Sequence, residues 1–202
     1  MSGKFTRRVI LAAAVSIAGS VLSVAQERDT SYSLTVFAGG GYTRNLSGFD
    51  TPLPGLKRNG IGGTVRVMWR PEHLLRVGLE TGVTQVYSVQ TKDVGTTEFG
   101  TTNFSSFLNV IPLALVFAMP LTTQLEGHIG STSYLLFSRT ESFGHKVTGF
   151  MLSIGFSAAL TYIRPIGEDW GVGAELKWYH IEKSKDDNVM LHVIFSYRFL
   201  EW

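Results

Sequence analysis

Beyond residue 26 the chain falls into eight stretches in which apolar side chains alternate with polar or small ones. Successive side chains of a strand point to opposite faces, so a period of two predicts β-strands. The predicted strands are 31–44, 60–70, 75–89, 104–119, 124–138, 149–163, 170–181 and 189–199, and no stretch repeats with helical spacing. In the third, Leu75, Val77, Leu79, Val83 and Tyr87 face one way and Arg76, Gly78, Glu80, Gly82 and Thr84 the other. In the seventh, Val172, Ala174, Leu176 and Trp178 oppose Gly173, Glu175, Lys177 and Tyr179. The fourth is apolar on both faces, and Pro112 inside it removes a ladder N–H and marks a candidate bulge.

The connections alternate as well. Those at 71–74, 120–123 and 164–169 are short, whereas those at 45–59, 90–103, 139–148 and 182–188 are longer or more polar. Short turns at one end and long loops at the other describe an up-and-down antiparallel meander.

Composition narrows the class. Hydrophobic residues make up 44% and charged residues 17%, too apolar for a disordered chain. No run of about 20 apolar residues exists, so a multipass helical membrane protein is excluded. There is no cysteine, which removes disulfide scaffolds, thiolate metal sites and cysteine nucleophiles. The 22 glycines and 12% aromatics fit an all-β chain with many turns.

A soluble barrel and a membrane barrel both alternate, and they differ in where the aromatics lie. With the short turns placed at the bottom, Trp69, Tyr162, Trp170, Tyr197 and Phe199 fall near the lower ends of the apolar faces. Tyr42, Tyr87, Phe150 and Trp178 fall near the upper ends. Two aromatic girdles are the mark of outer-membrane barrels. The eight residue steps from Trp170 to Trp178 cover roughly 20 Å at about 3.3 Å per residue and about 40° tilt, close to an apolar band of about 25 Å. The opposite faces carry glycines and the charged set Arg66, Arg76, Glu80, Glu126, His128, Glu175, Lys177 and Arg198. Buried charges are costly unless paired, so an ion-pair network inside a narrow lumen is expected. A turn near Glu72 and His73 would set Arg66 opposite Glu80, and a turn near Asp186 would bring Glu175 within diagonal reach of Arg198. The alternative, a soluble lipocalin-like binder, turns the apolar aromatics inward around a wide cavity.

Residues 1–25 read as a cleaved secretory signal. Lys4, Arg7 and Arg8 precede a short apolar run, and Ser23-Val24-Ala25 ends in small residues before Gln26. Removing that segment leaves fifteen basic and sixteen acidic side chains on 26–202, so the basic balance of the whole chain implies no nucleic-acid partner.

Over 31–202 the chain resembles the small eight-stranded outer-membrane β-barrel proteins, the OmpA/OmpX-like, porin-like group. The strand patterns carry the resemblance, together with Asn109-Val110-Ile111-Pro112-Leu113 and the ending Phe195-Ser196-Tyr197-Arg198-Phe199. It implies an eight-stranded antiparallel up-and-down transmembrane β-barrel in the outer membrane of a Gram-negative-type bacterium, reached after export through the inner membrane. It also implies contact with outer-membrane lipid and with the barrel-assembly machinery through the C-terminal strand. Here the chain continues Leu200-Glu201-Trp202, so either Phe199 or Trp202 serves as the last aromatic.

Chemistry is sparse. His180, Glu182 and Ser184 are the closest cluster to a base, carboxylate and nucleophile, at a strand end where lipid is within reach. Their spacing does not match the His-x-Ser-Asn pattern associated with barrel lipid deacylases, and a polar rim explains them. His73, His128, His145, His180 and His192 are dispersed, Asp186-Asp187 reads as a solvated turn with calcium there as the lesser alternative, and Gly39-Gly40-Gly41 sits inside a strand without a P-loop lysine. No cofactor or metal is implied. The expected role is therefore structural or interactive at the cell surface, with a plugged lumen. The alternatives are lipid modification, a narrow pore and a soluble binder. The first long loop, with Phe49, Pro52, Leu53, Pro54 and Leu56, is apolar enough for an extracellular partner or for packing on itself.

Overall fold

The computed structural model describes residues 32–47, 55–71, 75–91, 104–142 and 145–202. The expected signal segment, His73, residues 48–54 of the first long loop with Phe49, Pro52, Leu53 and Pro54, and residues 92–103 of the second lie outside the described residues. Nine strands follow in chain order: β1 (Ser33–Asn45), β2 (Leu56–Lys57), β3 (Asn59–Arg70), β4 (Arg76–Thr91), β5 (Phe104–Pro120), β6 (Leu125–Ser142), β7 (His145–Pro165), β8 (Trp170–Ile181) and β9 (Asp186–Glu201). The eight long strands each pair antiparallel with the next, and β1 pairs with β9, closing the sheet on itself. The two-residue β2 lengthens the outer end of β4, with Leu56 opposite Val89.

The register fixes the barrel's gauge. Trp170 leads through successive cross-strand partners Tyr197, Val36, Val67, Leu79, Leu115, Ser131 and Phe156 back to β8 at His180, ten residues on. Eight strands with a shear of ten tilt by about 40° and enclose a backbone cylinder of roughly 8 Å radius. Such a cylinder has room for side chains and little else. Gly155 and Gly173 line tight points in it: a Cβ there would fall on the carbonyl oxygens of His180 and Tyr162 respectively.

The outer face is apolar. Ile61, Leu79, Ile129, Leu152, Ile154 and Phe195 are all more than half exposed on the isolated chain, the surface a lipid bilayer covers. Ile129 lies on the outward face of β6, between Leu125 and Phe137. Ile129→Arg is expected to destabilise the barrel by about 2–4 kcal/mol, read as a lowered urea midpoint in lipid vesicles.

Inside, two apolar clusters flank a charged layer. Towards the long loops Val86, Leu108, Val110, Tyr134, Leu136, Tyr179, Ile181 and Met190 pack together. Towards the short turns Phe37, Met68, Ala114, Val116, Ala118 and Ile194 do so. The interior is therefore bulkier and more apolar than the expected lining of glycine and charge.

Three local expectations need correction. The stretch 139–148, expected as a loop, is mostly ladder: Arg139, Thr140, Glu141 and Ser142 pair with Thr148, Val147, Lys146 and His145. Both faces of β7 are exposed from His145 to Thr148, so no apolar period marks the strand although its hydrogen bonds continue. The turn after β8 is confined to Glu182–Lys185, with Lys185 at φ 53°, and β9 already begins at Asp186. Pro112 causes no bulge. The β4–β5 register is the same on either side of it, and the pairing simply skips Ile111 and Pro112. The bulge falls at Val86, between Gln85 opposite Asn109 and Tyr87 opposite Leu108.

Candidate functional site

The charged layer crosses the lumen. Register sets Arg66 on β3 opposite Glu80 on β4, and the inward face of β8 carries Glu175 and Lys177 from the far wall. Arg66 Nη1 donates to Glu80 Oε2 at 3.2 Å and to Glu175 Oε2 at 2.8 Å. Thr161 Oγ1 donates to the same Glu175 oxygen at 2.7 Å. Lys177 Nζ bonds Glu80 Oε1, and lies 3.9 Å from Glu175. His192 Nδ1 is 3.7 Å from Glu175 Oε1, and the Arg66 guanidinium stands 5.0 Å from the Phe37 ring centre. All four charged side chains are at most 8% exposed. Two cations meet two anions, so the layer is neutral, and low surrounding polarity makes each partner hard to remove.

Nearer the short turns Arg76 bonds Glu126, and His128 Nε2 lies 3.8 Å from Glu126 Oε2. A cavity of about 280 Å³, lined in part by Arg70, Arg76, Glu126, Asp169 and Arg198, opens at that end. Above the charged layer, the space among Thr64, Glu80, Tyr134, Lys177 and Met190 is about 20 Å³, the room of a single water.

Arg198 is not part of the network. Its guanidinium donates to Glu201 at 2.7 Å and lies 3.8 Å from Asp169, at the short-turn rim. The final hairpin turns earlier than expected, so Glu175 faces His192 instead. Tyr87 likewise leaves the expected girdle: past the bulge at Val86 it pairs with Leu108 and packs on the apolar cluster in the lumen. Tyr42, Trp69, Phe150, Tyr162, Trp170, Tyr197 and Phe199 are exposed on the outer face. Trp170 packs on Tyr197 with ring centres 4.5 Å apart, and Trp178 meets Phe156 edge-on at 5.3 Å. Tyr32 and Trp202 stack at 5.8 Å beside the β1–β9 seam. Sequence reasoning left Thr161 and His192 out of the network, although both alternate with apolar neighbours along their strands.

The rim cluster does not assemble a nucleophile and base. His180 Nδ1 bonds Asp187 at 2.9 Å and Nε2 bonds Glu182 at 3.2 Å, so both ring nitrogens are engaged by carboxylates on opposite sides. Ser184 Oγ is buried and makes no hydrogen bond with His180. Among the described residues no group of three histidine or carboxylate side chains converges on a metal-sized point.

Similarity to known proteins agrees with this geometry. The family model for the outer membrane protein β-barrel domain matches residues 10–199. By fold the chain is similar to a major outer membrane protein from Thermus thermophilus, with a TM-score of 0.57 and 15% identity, covering 83% of this chain and 99% of that one. It is also similar to Ail, the attachment invasion locus protein of Yersinia pestis, at TM-score 0.51 and 12% identity, covering 84% and 99%. Among curated proteins none matches. A closed barrel with an apolar outer face, matched to that model over nearly its whole length, identifies the chain as a member of the outer-membrane β-barrel protein family.

Proposed function

We propose that this barrel is a plugged, non-enzymatic scaffold that presents its long-loop end to the cell exterior. The observation that carries the reading is the ion-paired layer from Arg66 to Lys177, which fills the lumen between two apolar clusters. A conducting pore needs a continuous wet path, and side chains packed across a cylinder of about 8 Å radius argue against one. β7 continues beyond its last partner on β8 while still paired with β6, so part of the sheet rises towards the outer loops and adds to the displayed surface. The girdle aromatics would sit against outer-membrane lipid. The C-terminal strand would engage the assembly machinery after export directed by residues 1–25.

The test is purified barrel in a planar lipid bilayer, with the gel mobility of boiled and unboiled samples as the check on folding. A heat-dependent mobility shift with no conductance steps is expected. Discrete steps from folded protein would overturn the plug and make a narrow pore the better reading. Lipid A acyl content compared between cells carrying wild type and His180→Ala tests the non-enzymatic half. Equal acyl content is expected, and loss of a modification in the variant would overturn it.

A further inference from the structure

We propose that the outer mouth of the lumen binds a hard, oxygen-coordinated cation, with calcium as the ion to test. Two side chains of β9 point to it. Asp186, expected in a solvated turn, is the first residue of the strand, faces the lumen and is only 5% exposed. Asn45 Nδ2 donates to its Oδ1 at 3.0 Å. Among the described residues no lysine, arginine or histidine forms an ion pair with it. The neighbouring acids turn away, since Asp187 and Glu182 both engage His180 on the outer face.

The second side chain is Asn188, next along the same inward face. It is wholly buried, and neither Oδ1 nor Nδ2 has a hydrogen-bond partner. Its register partners are Asn45 on β1 and Tyr179 on β8. Cross-strand partners on one face stand about 5 Å apart at Cβ, so the Asn188 amide lies beside the Asn45 amide that already bonds Asp186.

A buried carboxylate with one neutral donor, next to a buried amide with none, is an arrangement that proteins rarely leave uncompensated. Tyr179 and Ile181 stand beside it as the β8 partners of Asn188 and Asp186, and with Val86 and Met190 they form an apolar cluster that raises the cost of an unneutralised charge. The surrounding backbone is held in place. Ser47 N donates to Asn45 Oδ1 at 2.9 Å, which fixes the amide's orientation, and Asp187 N donates to Ser47 Oγ at 2.7 Å. A cation here would take the Asp186 carboxylate and the Asn188 carbonyl oxygen and complete its shell with water. Oxygen donors without imidazole or thiolate suit calcium better than a transition metal. One carboxylate gives a weak site, with half-saturation expected at about 10⁻⁴–10⁻³ M.

The experiment uses barrel refolded into detergent micelles free of lipopolysaccharide, melted in calcium or in chelator. Wild type is expected to melt about 3–5 °C higher when calcium is in tenfold excess over its Kd. Asp186→Asn is expected to lose that rise while keeping its heat-dependent gel mobility, and Asn188→Ala to shift half-saturation to higher calcium. No rise in wild type, or an equal rise in folded Asp186→Asn, would overturn the site. Should Asp186→Asn fail to refold, calorimetric titration of wild type with calcium decides, and absence of binding at millimolar calcium counts against it.

Discussion

Glu175→Ala is expected to destabilise the barrel by about 3–5 kcal/mol, seen as a lower urea midpoint and a lower temperature for the gel mobility shift. The reason is the asymmetry of buried ion pairs. In the folded barrel Glu175 accepts from Arg66 at 2.8 Å and from Thr161 at 2.7 Å, and Lys177 and His192 stand within 4 Å. Deleting it leaves two cations to share Glu80 in a space closed to solvent. Replacing Arg66 and Glu175 together by apolar residues of similar volume removes both charges at once, and that double variant is expected to be more stable than Glu175→Ala alone. A single variant that unfolds with the wild type would show that the layer carries no such energy.

Gly173→Val is expected to prevent folding altogether, so that refolded samples show no heat-dependent mobility shift. Gly173 faces inward on β8, and a Cβ there would collide with the Tyr162 carbonyl oxygen and come 3.0 Å from the Ile163 Cα, both on the neighbouring strand. Backbone of a paired strand cannot move aside without breaking its ladder. The contrast is Gly40 on the outward face of β1, where an added Cβ meets only the Gly62 carbonyl oxygen at 3.6 Å. Gly40→Ala is expected to fold like wild type. Equal folding of both variants would show that the interior is roomier than the register implies.

Most of the strand order was legible because lipid on one side and a packed lumen on the other force strict alternation, as in β8 from Trp170 to Trp178. Legibility ended where one of those environments ended. From His145 to Thr148 both faces of β7 meet solvent, so the ladder carries Glu141 and Lys146, 3.8 Å apart, where an apolar period would otherwise stand. Asp186 and Asn188 read as turn because burial of uncompensated polar groups is the exception. The Arg66–Glu80 pairing followed from a short hairpin. The partner of Arg198 depended on where a longer connection turns, which side-chain pattern alone does not specify. Tyr87 was assigned to lipid because Val86 adds a residue that period-two counting does not include.

The closing seam poses a problem of proofreading. β1 could slide along β9 by two residues and still keep every side chain on its own face of the wall, because side-chain direction repeats every second residue. Hydrophobicity alone is blind to that error. The cross-lumen ion pairs are not. Arg66 and Glu80 hang from the β1 side of the seam, and Glu175 and Lys177 from the β9 side. A two-residue slip would offset the groups by about 6–7 Å along the strand, beyond ion-pair reach. The charges in the lumen thus act as a vernier, holding the last joint of the cylinder to one setting among several that greasy walls would accept.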